Sequence, residues 1–332
     1  MSHAQVPLLF ALGASREFGT RIAQALDTTL ARHEEREFED GEHKARPLDA
    51  VEGRDVCVVH ALYGDGTQGA NDKLCRLLFF LGALRDAGAE RVTALVPYLC
   101  YARKDRRTQP HDPLPTRYVA ALFEAVGVAR MVALDVHNPA AFENAFRCTT
   151  VHLEARPLFV AHLADALRGQ ALGVLSPDEG GAKRADAFRQ ALAEACGDDD
   201  IAFGFMEKRR AGGAVAGEHL YADVAGRSVV VVDDLVSTGG TLLRAARAAR
   251  SAGARAVIAV ATHGLFVGDA NSALADPAID RIVIANSVPP FRLAHGQVER
   301  KLAVVDVAPL FAAALRGSAT PSPANLPPEG GG

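Results

Sequence analysis

The chain has 332 residues, of which 49% are hydrophobic and 23% charged, and its formal charge is -4. This is ordinary globular material, long enough for two domains, and its slight acidity argues against nucleic-acid binding as the main task. Five cysteines, Cys57, Cys75, Cys100, Cys148 and Cys196, are scattered without CxxC spacing, which argues against a zinc site or disulfide framework and fits a reducing compartment.

The segment VPLLFALGA has no basic region before it and reads as a strand, Leu8–Leu12, not as a secretory signal. A helix is expected over Glu17–Leu26. Phe38–Glu42, FEDGE, carries an Asp-Gly dipeptide where a β-hairpin tip would sit. Strand Val56–Val59, helix Lys73–Ala87, strand Val92–Val96, helix Pro115–Val126 and strand Met131–Asp135 then alternate. Beyond a boundary near Thr149 to Ala155, strands are expected at Leu172–Leu175, Ile201–Met206, Val229–Val232, Val257–Ala261 and Ile282–Ala285, with a helix over Leu242–Ser251. This alternation predicts an α/β fold of doubly wound, mostly parallel sheets flanked by helices. No apolar run is long enough to span a membrane, so no membrane partner and a cytoplasmic location are expected. Pro321–Gly332, PSPANLPPEGGG, has the composition of a disordered tail.

Two segments of the chain resemble each other. GRDVCVV from Gly53 leads through a loop and helix to AGAERVTALVPY, ending at Tyr98, and GRSVVVV from Gly226 leads likewise to AGARAVIAVATH, ending at His263. Each reads as a βαβ unit with a right-handed crossover. Two related domains are therefore expected, at 1–150 and 151–316, followed by a tail at 317–332. The second copy carries Asp233-Asp234 where the first has His60-Ala61 and a longer loop, Tyr63 to Asn71.

The stretch VVVVDDLVSTGGT, Val229 to Thr241, carries the sharpest chemical signal. Four valines make a strand buried on both faces, and Asp233 and Asp234 fall at its carboxyl end, where open α/β sheets bind ligands. Ser237, Thr238, Gly239, Gly240 and Thr241 then lead into a helix whose free N–H groups can hold a phosphate. An acidic pair repels phosphate but accepts hydrogen bonds from sugar hydroxyls, with a divalent cation nearby. Ribose carrying a 5′-phosphate satisfies both halves.

Further motifs follow in order: FEDGE, NDKL at Asn71–Leu74, PYLCYARKDRR at Pro97–Arg107, DVHN at Asp135–Asn138, SPDEGG at Ser176–Gly181 and EKRR at Glu207–Arg210. With the Asp-Asp loop, this series resembles the ribose-phosphate diphosphokinase (PRPP synthetase) family, of phosphoribosyltransferase-like fold, from about Leu8 to Arg316. The resemblance implies that the domain at 1–150 binds the nucleotide and that at 151–316 binds ribose 5-phosphate. It assigns Phe38, Asp40 and Glu42 to the purine of ATP, the hairpin reaching a neighbouring subunit, so a homo-oligomer built on dimers is expected. A hairpin tip alone leaves an exposed Phe38 unexplained.

The basic run after Pro97-Tyr98 could be a solvated charge cluster. The family assigns Arg103 and Asp105 to ATP, and arginine suits bidentate phosphate contact. Lys104 stands there where the family usually has glutamine. His137, alone at a strand end, would by resemblance help hold a magnesium–nucleotide. Asp178 is a candidate ligand of Mg²⁺ or ribose, or a helix N-cap. Lys208 and Arg210 open the family's catalytic flexible loop and would meet the charge of a phosphoryl transition state. The loop here, Ala211 to Gly217, lacks the family's usual prolines, and Ser237 replaces an aspartate common in the family. The implied reaction is Mg²⁺-dependent diphosphoryl transfer from ATP to ribose 5-phosphate, giving PRPP and AMP. A phosphoribosyltransferase consuming PRPP and a non-catalytic regulatory homologue remain as alternatives.

Overall fold

The computed structural model describes residues 6–211, 214–293 and 296–317, with backbone alone at 208–211 and 214–218. They form two compact units, residues 6–153 with 308–317, and Glu154–Val307.

The first unit runs β1 (Leu8–Ala11), α1 (Arg16–Ala25), β2 (His33–Glu37), β3 (His43–Pro47), β4 (Asp55–Val59), α2 (Ala70–Asp86), β5 (Arg91–Val96), α3 (Pro115–Ala125), β6 (Arg130–Leu134), α4 (Pro139–Ala145) and β7 (Thr149–Leu153). Its parallel five-stranded sheet has the order β1-β4-β5-β6-β7, and β2-β3 is a separate antiparallel hairpin. The strands are apolar almost throughout, as burial on both faces demands. α2 contributes Leu74, Leu77, Leu78, Phe80, Leu81 and Leu84, a helical-period stripe that packs with Phe10 and the strand valines. Asp72 reaches back to accept from the Gly69 N–H at 2.7 Å, satisfying a donor at the start of α2.

The second unit runs α5 (Arg156–Leu167), β8 (Leu172–Ser176), α6 (Ala182–Cys196), β9 (Ala202–Ala211), β10 (Ala214–Tyr221), β11 (Ser228–Val236), α7 (Gly240–Ser251), β12 (Ala256–Gly264), α8 (Ala270–Ala275), β13 (Arg281–Ala285), α9 (Gln297–Lys301) and β14 (Leu302–Val305). Its seven-stranded sheet has the order β10-β9-β8-β11-β12-β13-β14. Chain progress reverses between β8 and β11, a topological switch point that opens a crevice outside their carboxyl ends. The reversal expected of a doubly wound sheet thus occurs in this unit, whereas the first sheet runs in chain order.

The internal resemblance is structural in detail. Val56 pairs with Val92 across β4 and β5 as Val229 pairs with Val257 across β11 and β12. The flanking turns repeat as well: the Gly53 N–H donates to Gly88 O and the Gly226 N–H to Gly253 O, both at 2.9 Å.

Two boundaries differ from the sequence expectation. β7 is whole within the first unit, so the division falls after Leu153, inside the expected Thr149–Ala155 window and three residues beyond 150. The last helix, α10 (Ala308–Arg316), was expected in the second domain but belongs to the first unit. Its Phe311 meets Phe18 of α1 edge-on at 5.5 Å, and Arg130 donates to Ala314 O at 3.0 Å. Burial of an apolar helix face against α1 decides this, and no local pattern shows where that face will go. The expected tail lies, apart from Gly317, outside the described residues. All five cysteines are free, and burial pushes the Cys57 and Cys100 thiols up to about 12, so they are inert apolar filling. No helix among the described residues is long and apolar enough to cross a membrane.

Candidate active site

In the second unit, β11 continues through the acidic pair to Val236 instead of ending before it. Its pairing with β12 extends from Ser228 to Val236, but its pairing with β8 stops at Val231 opposite Leu175. Asp233 and Asp234 therefore lie on an ordered strand beside the space where β8 has ended, at the switch point. Asp234 is only 4% exposed and Asp233 is half-buried. Asp233 Oδ1 accepts from the Asp234 N–H at 2.9 Å. Burial, and then the Asp234 carboxylate beside it, hold the Asp233 carboxyl well above the usual carboxylate range.

β8 emerges into SPDEGG. Ser176 Oγ donates to Asp178 O at 2.6 Å, and Asp178 Oδ1 accepts from the Gly181 N–H at 3.0 Å. One oxygen of Asp178 is thus engaged in shaping the turn before α6, whose N-cap is Gly181 and not Asp178 as weighed from sequence. Arg184, in the first turn of α6, spans both acids, with Nη1 3.9 Å from Asp233 Oδ1 and Nη2 3.8 Å from Asp234 Oδ2. The sequence reading missed this residue. The available signal was that two adjacent acids on a buried strand require a counter-charge.

After Val236, Ser237 and Thr238 lead to Gly239, whose φ of +76° only glycine adopts without strain. A Cβ there would also lie 3.1 Å from the Ala273 Cβ. The turn aims the chain into α7 at Gly240-Thr241, and no side chain caps its first turn. Thr238 is exposed, and Ser237, Gly240 and Thr241 are half-buried. The loop that predicts a phosphate cradle therefore has a helix N-terminus with its backbone N–H groups uncapped, next to the acidic pair.

The motif EKRR lies within β9, which runs on to Ala211, and does not follow a strand ending at Met206. Lys208 is in register with Glu218 and Arg210 with Val215 of β10, with a bulge between Val215 and Gly217. The expected lid is thus the outer end of a β-ribbon at the sheet edge. Gly212 and Gly213, at its tip, lie outside the described residues.

In the first unit three motifs meet at the carboxyl ends of β4, β5 and β6. Tyr101 donates its hydroxyl to Asn71 Oδ1, joining YARKD to NDKL. Asn138 Nδ2 donates to Asp105 Oδ2 at 2.6 Å, joining DVHN to YARKD. Between these anchors Arg103 and His137 are exposed. Asp135 has a φ of 37°, a left-handed backbone uncommon outside glycine, immediately after β6. Lys104 pairs with Asp112 at 3.2 Å, and Asp112 also accepts from the Thr108 and Gln109 N–H groups at 2.9 and 3.0 Å. Asp112, not singled out from sequence, fixes the loop after the basic run.

The hairpin tip matches its sequence expectation. The Phe38 N–H donates to Glu42 O at 2.8 Å, and Asp40 Oδ1 accepts from the Glu42 N–H at 3.1 Å. Asp40 and Glu42 are exposed, as is Phe38 at 38%, with the Arg36 guanidinium 4.9 Å from its ring centroid. His60, which occupies the first copy's equivalent of Asp233, is buried and bonds to Ser15 Oγ at 3.2 Å. At that place in the first unit the fold holds a buried, hydrogen-bonded imidazole in place of an acidic pair.

The chain as a whole is similar to known proteins. Residues 8–127 match the N-terminal domain of ribose phosphate pyrophosphokinase, and residues 216–320 match the phosphoribosyl synthetase-associated domain. The ribose-phosphate pyrophosphokinase of Helicobacter hepaticus is 32% identical over 308 residues, 93% of this chain and 94% of that protein. That of Pasteurella multocida is 35% identical over 283 residues, 85% of this chain and 86% of that protein. The crystal structure of phosphoribosylpyrophosphate synthetase from Mycobacterium smegmatis superposes with a TM-score of 0.83 at 28% identity, covering 93% of this chain and 97% of that one. The ordered motifs, the duplicated fold and this near end-to-end similarity make the chain a member of the ribose-phosphate pyrophosphokinase family of diphosphoryl-transferring enzymes.

Proposed function

We propose that the chain transfers the β,γ-diphosphoryl group of ATP to the anomeric hydroxyl of ribose 5-phosphate, with Mg²⁺, giving PRPP and AMP. The observation that carries this reading is the acidic pair at the switch point followed directly by an uncapped helix start, a seat for sugar hydroxyls beside a seat for phosphate. Ser237, Thr238, Gly239, Gly240 and Thr241 hold the 5-phosphate, and Asp233 and Asp234 accept from the ribose hydroxyls. Phe38, Asp40, Glu42, Arg103, Lys104 and Asp105 place the nucleotide. The sugar O1 attacks the β-phosphorus in line, its proton passes to solvent water, and the bond from the β-phosphorus to the α-bridging oxygen breaks to release AMP. Lys208 and Arg210 stabilise the charge on the group in transfer, so positioning and electrostatics supply most of the catalysis.

The chemistry of the donors suits Mg²⁺, a hard cation usually held by one or two carboxylates together with substrate phosphates. Among the described residues no cluster of three or more His, Cys, Asp or Glu side chains could hold a metal ion. Asp178 and His137 are the side chains assigned to it, and when bound it neutralises phosphate charge. Each active site draws its hairpin from a second copy of the chain, in a cytoplasmic homo-oligomer.

The deciding experiment is a coupled assay for AMP with ATP, ribose 5-phosphate and Mg²⁺. Equal amounts of AMP and PRPP are expected. Consumption of PRPP with a free base, and no AMP from ATP, would instead establish a phosphoribosyltransferase.

A further inference from the structure

We propose that Arg184 is a positioning residue for the acidic pair, a resident counter-ion that offsets the charge of Asp233 and Asp234 and holds them aimed at the vicinal hydroxyls of a ribose phosphate. The proposal rests on the reading above and adds a residue to it. One guanidinium spans two carboxylates of neighbouring residues, 3.9 Å from Asp233 and 3.8 Å from Asp234. Asp233 and Asp234 side chains keep only 20% and 6% of their exposure, so little water screens the mutual repulsion of the pair. Both separations exceed a charge-assisted hydrogen bond, roughly 2.7–2.9 Å. Arg184 thus offsets the charge of the pair from a distance, a geometry suited to a site whose oxygens must still receive donors.

Its placement also ties the two loops of the site together. Arg184 stands in the first turn of α6, directly after the Gly180-Gly181 turn, and a Cβ on Gly181 would lie 3.8 Å from its Nη1. α6 packs on β11, so the turn after β8 and the acids on β11 share this one cation. A lysine keeps the charge but is a single point, without the planar fork that reaches two carboxylates at once.

The test compares wild type with Arg184→Gln and Arg184→Lys by calorimetric titration of ribose 5-phosphate and, separately, of Mn²⁺ alone. For Arg184→Gln the Kd for ribose 5-phosphate should rise roughly 10–100-fold, the scale of one hydrogen bond to a charged group, with ATP affinity unchanged. Arg184→Lys should recover part of that loss. Mn²⁺ should bind several-fold more tightly to Arg184→Gln, because the acids have lost their resident cation. That gain should vanish in Arg184→Gln/Asp233→Asn. A variant with wild-type affinity for both ligands would overturn the proposal while the proposed reaction stands. Should wild type itself fail to bind ribose 5-phosphate, the reaction falls, and the Mn²⁺ titration still decides the counter-ion role. If Arg184→Gln fails to fold, Arg184→Lys carries the test: weaker ribose 5-phosphate binding supports the role, and wild-type binding overturns it.

Discussion

Lys73 is the most demanding charge in the first unit, and removing its partner is the sharpest test of how that unit is held. It has 0% exposure, with Nζ 2.7 Å from Asp65 Oδ2 and 3.7 Å from the centroid of the Tyr63 ring. Asp65 also accepts from the Thr67 N–H at 3.0 Å, Thr67 Oγ1 at 2.6 Å and the Gln68 N–H at 2.9 Å. Burial works to raise its carboxyl, but Lys73 and these donors together hold it well below the usual carboxylate range. Asp65→Ala leaves a buried ammonium with only an aromatic face, at a cost of about 3–5 kcal/mol. At 2–4 °C per kcal/mol for a unit of this size, the melting temperature of the first unit should fall by roughly 6–20 °C. Lys73→Met should cost less, about 1–3 kcal/mol, because Asp65 keeps its other donors. Lys73→Met/Asp65→Ala should melt above Asp65→Ala, since no charge is then stranded. Calorimetry resolving the two units, with urea unfolding as a check, measures the series. If Asp65→Ala melts within a degree of wild type, or below it by no more than Lys73→Met, the buried ion pair does not carry the energy assigned to it.

His60 is buried, and burial followed by the nearby Lys73 charge lowers its pKa to about 3, so the folded protein holds it neutral. The unfolded chain takes up that proton near pH 6.5, so stability should fall as pH drops from about 6.5 towards 3, by up to about 1.4 kcal/mol per pH unit. Urea unfolding between pH 7 and 5 should show a shallower slope for His60→Asn, and an identical slope would refute this. Because the Asp233 carboxylate is held at a disadvantage by burial and Asp234, Asp233→Asn should raise the melting temperature at neutral pH while impairing use of ribose 5-phosphate. A lower melting temperature with unchanged kinetics would show instead that the charge is structural. Lys208→Ala and Arg210→Ala should each lower kcat by roughly 10²–10⁴-fold with little change in ATP affinity. A rise in KM at full turnover would place them in ground-state binding. Mixing Phe38→Ala/Glu42→Ala with Lys208→Ala under verified subunit exchange should give more activity than the two parents summed, and a simple sum would show that each chain carries its own hairpin.

Local rules in the residues specify the elements and the residue types that the loops carry. Continuous apolar runs, the repeated AGAxR turns and the order of motifs depend on neighbouring residues, so the βαβ duplication and the Asp-Asp and Ser-Thr-Gly-Gly segments are legible in the sequence. Which strand neighbours which is set by the folded chain. It put β8 beside β11, creating the switch point that places SPDEGG next to Asp233, and it ran β11 past the end of β8 so that the acids stand on a strand with one side open. It also returned α10 to the first unit, joined Asn138 to Asp105, and brought Arg184 within reach of two carboxylates about 50 residues away in sequence. These facts escape a sequence reading for one physical reason. Strand order and long-range ion pairs are fixed by the packing of distant apolar faces and the need to neutralise buried charge, and neither leaves a periodic trace in the residues nearby.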